Sequence, residues 1–213
     1  MKNMEDEMKR FRFTLLGSAL LLCVAVVAVA ATGSHGVTET FQKTCALAPD
    51  GKVSLGMHVD YILTVPRNSS LEEVKIVNGQ IDISGLAGNV TVSTVNGSVD
   101  ARDLSGGCEF ETANGKVDAE FTSLASGSDV RLKSVNGALM LRLPDNPDAR
   151  IKASTTVGNI SNDFGLESTR ESDEHSVVRI GDALSGTLGK GSASIEMHTV
   201  NGSIDILKSN INR

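Results

Sequence analysis

One short phrase recurs along this chain and constrains what the chain can fold into. Each copy is a pair of turn residues, most often Asn-Gly, that separates two segments in which apolar and polar residues alternate. The glycines of the six copies lie 18, 18, 22, 21 and 44 residues apart and are Gly79, Gly97, Gly115, Gly137, Gly158 and Gly202. A period of about 20 residues is typical of stacked repeat architectures. The last gap is two periods wide, and it predicts one degenerate copy inside it.

Aligned on these glycines, the copies form columns of residues with the same character. The second residue after each glycine is apolar in every copy, and so is the residue five positions before it. The residue three positions before the glycine is small or β-branched, and the interleaved positions are mostly polar. Alternation of this kind in β-branched residues, bounded by Asn-Gly, indicates strands with one face in a core and the other in water.

Two all-β architectures fit this pattern. One is a parallel β-solenoid in which the turn pairs stack at a corner. The other is an antiparallel β-meander of hairpins, for which Asn-Gly is the strongest short-range signal. Both architectures assign structural turns to the same five pairs: Asn78-Gly79, Asn96-Gly97, Asn114-Gly115, Asn136-Gly137 and Asn201-Gly202.

The residue before each of these asparagines favours the solenoid. It is apolar in all five copies, as Val77, Val95, Ala113, Val135 and Val200. A hairpin would put this column on the polar face, whereas a corner can reset the alternation so that the column points inward. We therefore expect an all-β solenoid of 18–22-residue repeats over residues 41–210, with a positive φ at corner glycines such as Gly97.

The first 31 residues predict a targeting segment rather than a part of the fold. Three basic residues within positions 9–12 precede an apolar run of 16 residues, Leu15 to Ala30, which ends in the small-x-small pattern that a signal peptidase needs. The run is short for a membrane span of about 20 residues. A cleaved signal peptide over residues 1–31 is therefore favoured over an uncleaved N-terminal anchor. Residues 32–40 are expected to form a flexible lead-in.

Charge and expected export together limit the partners of the chain. The sequence carries 20 basic and 26 acidic residues, of which the first 31 residues contain four and three, so the mature net charge is −7. A protein this acidic is a poor ligand for nucleic acid, whose binding depends on neutralising phosphates. We expect a protein of the periplasm or the cell surface whose partner is an envelope protein or a surface glycan. It would meet the membrane only through an uncleaved leader.

The order and number of these motifs resemble one bacterial family. The leader, the strand ending in Val65-Pro66, the repeated Val-Asn-Gly units, the Leu143-Pro144 loop and the closing segment Thr-Val-Asn-Gly-Ser-Ile-Asp-Ile at 199–206 are similar to those of the DUF4097 proteins. The likeness covers roughly residues 40–208. It implies a right-handed, β-helix-like solenoid at the cell envelope with an adhesin-like, non-enzymatic role, and it implies no catalytic residues.

A column of aspartates is the sharpest candidate for a ligand site. Asp82, Asp100 and Asp118 each follow a turn glycine by three residues, so strands stacked about 4.8 Å apart would bring their carboxylates together. Like charges this close disfavour joint ionisation unless a cation intervenes, and Ca²⁺ prefers carboxylate oxygens. We favour the alternative of a solvated face that is balanced by bases such as Arg102 and Lys116. A carbohydrate- or Ca²⁺-binding module is therefore the second functional hypothesis, and no cofactor is expected.

A polysaccharide-active enzyme is the third hypothesis, because paired carboxylates cleave sugars. The chain has no tryptophan and one tyrosine, so the aromatic platforms that usually stack on sugars are almost missing. The four histidines are not spaced as zinc ligands. We expect no enzymatic activity.

Two cysteines, Cys45 and Cys108, lie beyond the expected leader. In an oxidising compartment such a pair often forms a disulfide. The other copies place Val or Ile in the column of Cys108, so a buried thiol that packs as a small apolar group is an equal alternative.

Overall fold

The structure is a computed structural model that describes most of the repeat region in full. Backbone and side chains are described for residues 65–167 and 181–209, and the backbone alone for residues 8–18, 26–28, 36–47, 53–64 and 168–169. Strands are the only regular secondary structure in these residues, and no helix that could span a membrane occurs among them. The strands are β1 (Met8–Ser18), β2 (Val26–Ala28), β3 (Gly36–Leu47), β4 (Val53–Pro66), β5 (Leu71–Ser84), β6 (Val90–Leu104), β7 (Cys108–Asn114), β8 (Val117–Phe121), β9 (Asp129–Asn136), β10 (Leu139–Leu143), β11 (Ala149–Val157), β12 (Ile160–Asn162), β13 (Ser168–Thr169), β14 (Asp182–Leu188), β15 (Ala193–Asn201) and β16 (Ile204–Lys208).

The six copies of the phrase form six coils, which we number in chain order. The part of a coil before its turn glycine is the first arm, and the part after it is the second arm. Coils 1 and 2 are β5 and β6, which run through the turn, and coils 3 to 6 combine β7 with β8, β9 with β10, β11 with β12, and β15 with β16. Neighbouring coils pair in parallel on both arms.

This pairing decides between the two predicted architectures. Asn78 pairs with Asn96, and Asn96 pairs with Asn114, so the turn of one coil lies on the turn of the next. In a hairpin each turn would instead close an antiparallel pair on itself. The fold is all-β with stacked parallel coils, and the alternative of an antiparallel meander of Asn-Gly hairpins is wrong.

The coils do not stack in chain order. The first arms follow the order β5-β6-β7-β9-β15-β11, and the second arms follow β6-β8-β10-β16-β12. Coil 6 therefore lies between coils 4 and 5. Between Gly158 and Gly202 the described chain holds β14, which pairs antiparallel with β11 and extends the sheet beyond coil 5. The prediction of a degenerate parallel copy in this gap is wrong, because β14 runs in the opposite direction.

The carboxylate of Asp148 holds the connection from β14 to β15, which leads into coil 6. β14 and β15 flank β11 on its two sides, so the chain passes over the start of β11 between them. There the side chain of Asp148 accepts hydrogen bonds from the backbone N–H groups of Lys190 at 2.6 Å and Ser192 at 3.2 Å. Hydrogen bonds from Ser192 lower the pKa of Asp148. This carboxylate fixes the path by which the last coil enters the stack.

The strands before coil 1 pair antiparallel. β3 pairs with β4, and β4 pairs with β1. β1 and β2 also pair with β5, through Arg12–Thr14 and Val26–Ala28, and both strands fall within the expected leader of residues 1–31. β3 begins within the expected lead-in. The parallel coils thus begin at Leu71, and β3 and β4 are an antiparallel addition in place of the earlier coils that the sequence predicts from residue 41.

The predicted apolar columns form the core. The columns two residues after and five residues before the turn glycines are buried in all coils, apart from a partly buried Ile160. Each apolar side chain therefore packs on its equivalents above and below, as well as across the stack. The members of these two columns in the core are Ile81, Val99, Val117, Leu139 and Ile204, and Val74, Val92, Phe110, Leu132, Ala153 and Met197.

The turn glycines are required by the close approach of the coils. A Cβ on Gly97 would lie 1.9 Å from the carbonyl oxygen of Gly79, and a Cβ on Gly137 would lie 1.8 Å from that of Gly115. Gly97 and Gly137 do not have positive φ, so the positive-φ corner predicted at Gly97 is wrong. Glycine is needed there because two backbones meet.

Buried hydroxyl groups use the same carbonyl oxygens. Thr112 donates to the carbonyl of Gly97 at 3.1 Å, and Thr199 donates to that of Gly137 at 3.1 Å. A Cβ on the glycine of the donating coil would strike that same oxygen, at 1.9 Å for Gly115 and 2.0 Å for Gly202. In coils 3 to 6 the glycine and the hydroxyl residue therefore act together to hold the coil onto its neighbour.

Replacing Gly97 by alanine tests this close approach. The added Cβ would meet a backbone carbonyl that cannot move unless coils 1 and 2 separate. We expect the free energy of unfolding to fall by about 3 kcal/mol or more. Urea unfolding followed by circular dichroism measures the change.

Gly127→Ala is the matched control for this variant. A Cβ at Gly127 meets nothing within 4 Å, but φ there is +80°, a left-handed conformation that costs a side chain about 1–2 kcal/mol. If Gly97→Ala lost no more stability than Gly127→Ala, contact between the coils would not be the reason for the glycine.

Candidate interaction surface

The outer face of the first arms carries an exposed row of apolar residues. Val77, Val95 and Val135 are 42%, 45% and 47% exposed, and Ala113 and Val200 are half-buried. The sequence predicts that these residues point inward, and that prediction is wrong. The residue just before each of them is buried, and successive strand residues face opposite sides, so alternation turns this column outward. We call this row of five residues the valine stripe.

An asparagine ladder runs beside the stripe. The side-chain amide of each asparagine donates to the side-chain oxygen of the asparagine on the adjacent coil. The bonds are Asn96 to Asn78 at 3.0 Å, Asn114 to Asn96 at 2.9 Å, Asn136 to Asn114 at 2.9 Å and Asn201 to Asn136 at 2.9 Å. Val157 occupies this position in coil 5 and ends the ladder. The ladder joins five of the coils along one edge of the stripe.

Two columns of mostly charged residues lie on the other side of the stripe. The near column, in stack order, is Lys75, Ser93, Glu111, Lys133, His198 and Ser154. The far column is Thr91, Glu109, Arg131, Glu196 and Lys152, and Glu73 extends it at a register shift between Leu71 and Val74. Together they hold four acidic and four basic side chains, so these two columns carry no net charge although the whole chain carries −6.

The charges of this face already form ion pairs between coils. Lys133 donates to Glu111 at 2.7 Å and to Glu109 at 3.4 Å. The hydrogen bond to Glu111 is the main reason why the pKa of Lys133 is raised. Arg131 lies 4.0 Å from Glu196 on coil 6. All of these side chains are open to solvent, so each pair adds little stability, and the side chains remain free to contact a partner.

A shallow groove of about 420 Å³ runs between the valine stripe and the near charged column. Buried hydroxyl residues form its floor, and the Oγ1 atom of Thr94 there has no hydrogen-bond partner among the described residues. One wall is apolar, and the other carries Glu111, Lys133 and His198. Such a groove can receive an extended chain that is apolar on one side and polar on the other.

A serine–histidine pair lies on the same face. The hydroxyl of Ser154 is 2.9 Å from Nδ1 of His198. A nucleophilic serine needs a histidine whose other side is held by a carboxylate. The register neighbour of His198 on its other side is Lys133, a cation rather than a carboxylate. The pair is therefore a surface hydrogen bond between coils 5 and 6.

The aspartate column lies on the second arms. Asp82 pairs in register with Asp100, and Asp100 with Asp118, so the stacking that the sequence predicts is present. Arg102 donates twice to Asp100, at 2.9 and 3.0 Å, and this hydrogen bonding raises the pKa of Arg102. Lys116 donates to Asp118 at 2.8 Å. The carboxylates of coils 2 and 3 are thus paired with bases.

A metal site at Asp82, Asp100 and Asp118 stays a prediction with little geometric support. In the part of the chain that the structure describes, no three acidic, histidine or cysteine side chains are grouped so that they could hold a metal ion. Met140 follows Asp118 in the column and interrupts it before Asp205. A basic partner already supplies the positive charge that a bound cation would bring.

Cys108 is buried and forms no disulfide among the described residues. Desolvation raises the pKa of this thiol, and the nearby carboxylates of Asp129 and Glu109 raise it further. A thiol in this state is a poor nucleophile, because only the thiolate reacts. The side chain of Cys45 lies outside the described residues, so the disulfide between Cys45 and Cys108 stays a prediction.

Comparison with known proteins identifies the family. A family model described as Toastrack DUF4097 matches residues 68–207. The chain belongs to this family. The Toastrack match begins just before coil 1 and ends in β16, so it spans all six coils, and the resemblance drawn from the sequence motifs is confirmed.

Two further comparisons relate this Toastrack chain to known proteins. A candidate cell adhesion protein from Clostridium sporogenes ATCC 15579, known from a crystal structure, is similar in fold at 16% sequence identity. The similarity covers 79% of this chain and 76% of that one, with a TM-score of 0.46. A comparison with curated proteins found no match.

Replacing Asp118 by asparagine tests how the aspartate column is balanced. Asp118 is 8% exposed and is contacted by Lys116 and Arg142. The amide keeps the shape of the side chain but removes the charge that both cations face, so we expect a loss of about 1–3 kcal/mol in the free energy of unfolding. Urea unfolding at neutral pH measures it.

Asp82→Asn is the matched control, because its side chain accepts a hydrogen bond from Gln80 at 2.9 Å on an exposed surface. We expect it to lose less than about 0.5 kcal/mol. Equal stability of Asp118→Asn and the wild type would contradict the ion-pair account. A calcium-dependent rise in Tm that Asp118→Asn abolishes would instead favour a cation site.

Proposed function

We propose that this Toastrack protein is a non-enzymatic component of the cell envelope, an adhesin-like or structural module that binds its partner through the outer face of the first arms. The observation that carries the proposal is the valine stripe. A row of apolar residues exposed along five coils is costly in water, and rows of this kind mark binding sites. The stacked strands beneath make the face rigid, so a partner meets a preformed surface.

The proposal includes export through the N-terminal segment. The apolar run from Leu15 to Ala30 follows basic residues and ends in a peptidase pattern. Cleavage after residue 31 would also remove β1 and β2, which pair with β5. The mature protein would then reach the periplasm or the cell surface with coil 1 at one end of the stack.

The proposal also includes a right-handed winding and a repeat of 18–22 residues. Connections between parallel strands of one sheet are right-handed in nearly all proteins, which supports that hand for the coils. The pairing of Asn78 with Asn96 and of Asn96 with Asn114 supports the short period in the first three coils.

A carbohydrate-binding module is the second candidate function, and the groove of about 420 Å³ beside the stripe is the observation that favours it. Its apolar wall can cover one side of a sugar chain while Glu111 and Lys133 reach its hydroxyl groups. A polysaccharide-active enzyme has less support, since the two register neighbours of His198 are Ser154 and Lys133, and neither is a carboxylate.

Export can be tested with the full chain and its own leader. We expect the mature mass to correspond to cleavage near residue 31, and we expect protease added to permeabilised envelopes to degrade the protein. The control carries Leu21→Arg and Val24→Arg, which break the apolar run and should hold the chain inside the cell, uncleaved and protected. Wild-type protein that stays uncleaved in the cytoplasm would contradict the proposal.

Binding can be tested with the exported protein and isolated envelope fractions. We expect Val135→Lys to weaken co-sedimentation with envelopes at least about tenfold, because the charge falls in the middle of the stripe. The control Gln80→Lys adds the same charge to the exposed second arm and should bind as the wild type does. Protease treatment or periodate treatment of the envelopes separates a protein partner from a glycan. Unchanged binding of Val135→Lys would remove the stripe from the proposed function.

A further inference from the structure

The geometry points to a second copy of this chain as the partner of the outer face. This inference rests on the proposed function, in which that face binds a partner, and it names the partner. The argument uses the valine stripe and the two charged columns beside it. One two-fold rotation places each of these three columns opposite its own equivalent in a second copy, and the residues that then face each other are complementary.

The operation is a two-fold axis that lies between two facing sheets, parallel to their strands. Such an axis keeps each column opposite its own equivalent and reverses the order of the coils, as expected for a dimer whose interface uses the same patch twice. The stack order is coils 1, 2, 3, 4, 6 and 5. An axis between coils 3 and 4 therefore places coil 3 against coil 4, coil 2 against coil 6, and coil 1 against coil 5.

With the axis in this place, opposite charges meet in both columns. Glu109 faces Arg131 of the second copy, and Glu111 faces Lys133 of the second copy, and each contact occurs twice. At the ends, Glu73 faces Lys152. The remaining charged residues of the columns face Ser154, Thr91 or Ser93, so no charge meets another of its own sign. Opposite potentials across an interface fix its register and favour the encounter.

The charge pattern also excludes neighbouring registers. An axis through coil 4 would place Arg131 on its own equivalent and Glu109 on Glu196, so like charges would meet at the centre, where repulsion costs most. The two charged columns together carry no net charge within an acidic chain. Two copies can therefore approach on this face with less repulsion than a chain of net charge −6 would meet elsewhere.

The apolar residues follow the same symmetry. Val95 on coil 2 faces Val200 on coil 6 of the second copy, and Ala113 on coil 3 faces Val135 on coil 4. The exposed Val95 and Val135 are thus covered by apolar members of the same stripe. Burial of apolar surface supplies the attraction, and the charged columns set the register.

The size of the face predicts a reversible dimer. Six coils at about 4.8 Å and seven residues at about 3.3 Å give a face of about 670 Å² for each copy. This is below the roughly 800 Å² per partner of a typical stable complex. We expect a dimer that dissociates on dilution into the micromolar range.

Sedimentation velocity of the exported protein, purified from cells that express the full chain, tests the dimer. We expect the wild type to pass from monomer to dimer as its concentration rises from micromolar to millimolar. Val135→Lys should raise the Kd at least about tenfold, and the control Gln80→Lys should leave it unchanged. A wild type that stays monomeric at millimolar concentration, or a dimer that Val135→Lys does not weaken, would overturn the inference.

A charge exchange tests the register. Glu109→Arg alone would place Arg against Arg131 twice, and Arg131→Glu alone would place Glu against Glu109 twice, so each variant should dimerise at least about tenfold more weakly than the wild type. An equimolar mixture of the two variants restores both opposite pairs and should dimerise again. A mixture that stays as weak as its components would overturn the proposed register, and with it the inference. If the wild type is monomeric and Val135→Lys still loses envelope binding, the proposed function stands and the self-association fails.

Discussion

The stack depends on the contact between turn backbones at the glycine column. At each turn the carbonyl oxygen of one coil lies where the next coil has no room for a Cβ, and the hydroxyl groups of Thr112 and Thr199 close the contact with a hydrogen bond. The other contacts between neighbouring coils depend on this spacing. The apolar columns can touch their equivalents, and the asparagine amides can reach one another, because the backbones are held at that distance.

The same alternation that fills the core also produces the outer surface. On the first arms, the hydroxyl residues face inward, and this leaves the residues of the valine stripe on the outside. On the second arms, the outward column is acidic, and bases such as Arg102 and Lys116 balance it. The two arms therefore present different surfaces, one partly apolar and neutral, the other polar with paired charges. A surface of the first kind has apolar area that contact with another molecule can cover, whereas the second resembles ordinary solvated strands.

The repeat predicts the core columns, because they depend on local alternation that the sequence shows directly. The alternation fits parallel and antiparallel coils alike, and the column before each asparagine, which favours the parallel coils only if it points inward, points outward in the structure. The repeat does not predict the order of the coils. The turn glycines and the residues around them are nearly equivalent from coil to coil, so coil 6 can pair with coil 4 as well as coil 5 can, and the choice depends on long-range connections such as the one at Asp148.

The direction of the valine stripe could have been predicted. The small residues just before it, such as Thr94 and Ser134, are suited to the inside, and strict alternation then places Val95 and Val135 outside. The reason for the glycine at position 97 could not have been predicted, because a close backbone approach and a positive φ both select glycine.

Because coil 6 lies between coils 4 and 5, the stack can be completed only after coil 6 has been synthesised. Coil 6 is the last of the six coils to be synthesised, yet it has neighbours on both sides in the finished stack. Coils 1 to 4 can assemble as the chain emerges, but coil 5 cannot take its final position until the residues of β15 and β16 have arrived to lie beneath it. Completion of the stack is thereby delayed until coil 6 has been synthesised. Until then coil 5 has no partner on one side, and the chain remains extended enough to pass through a narrow opening.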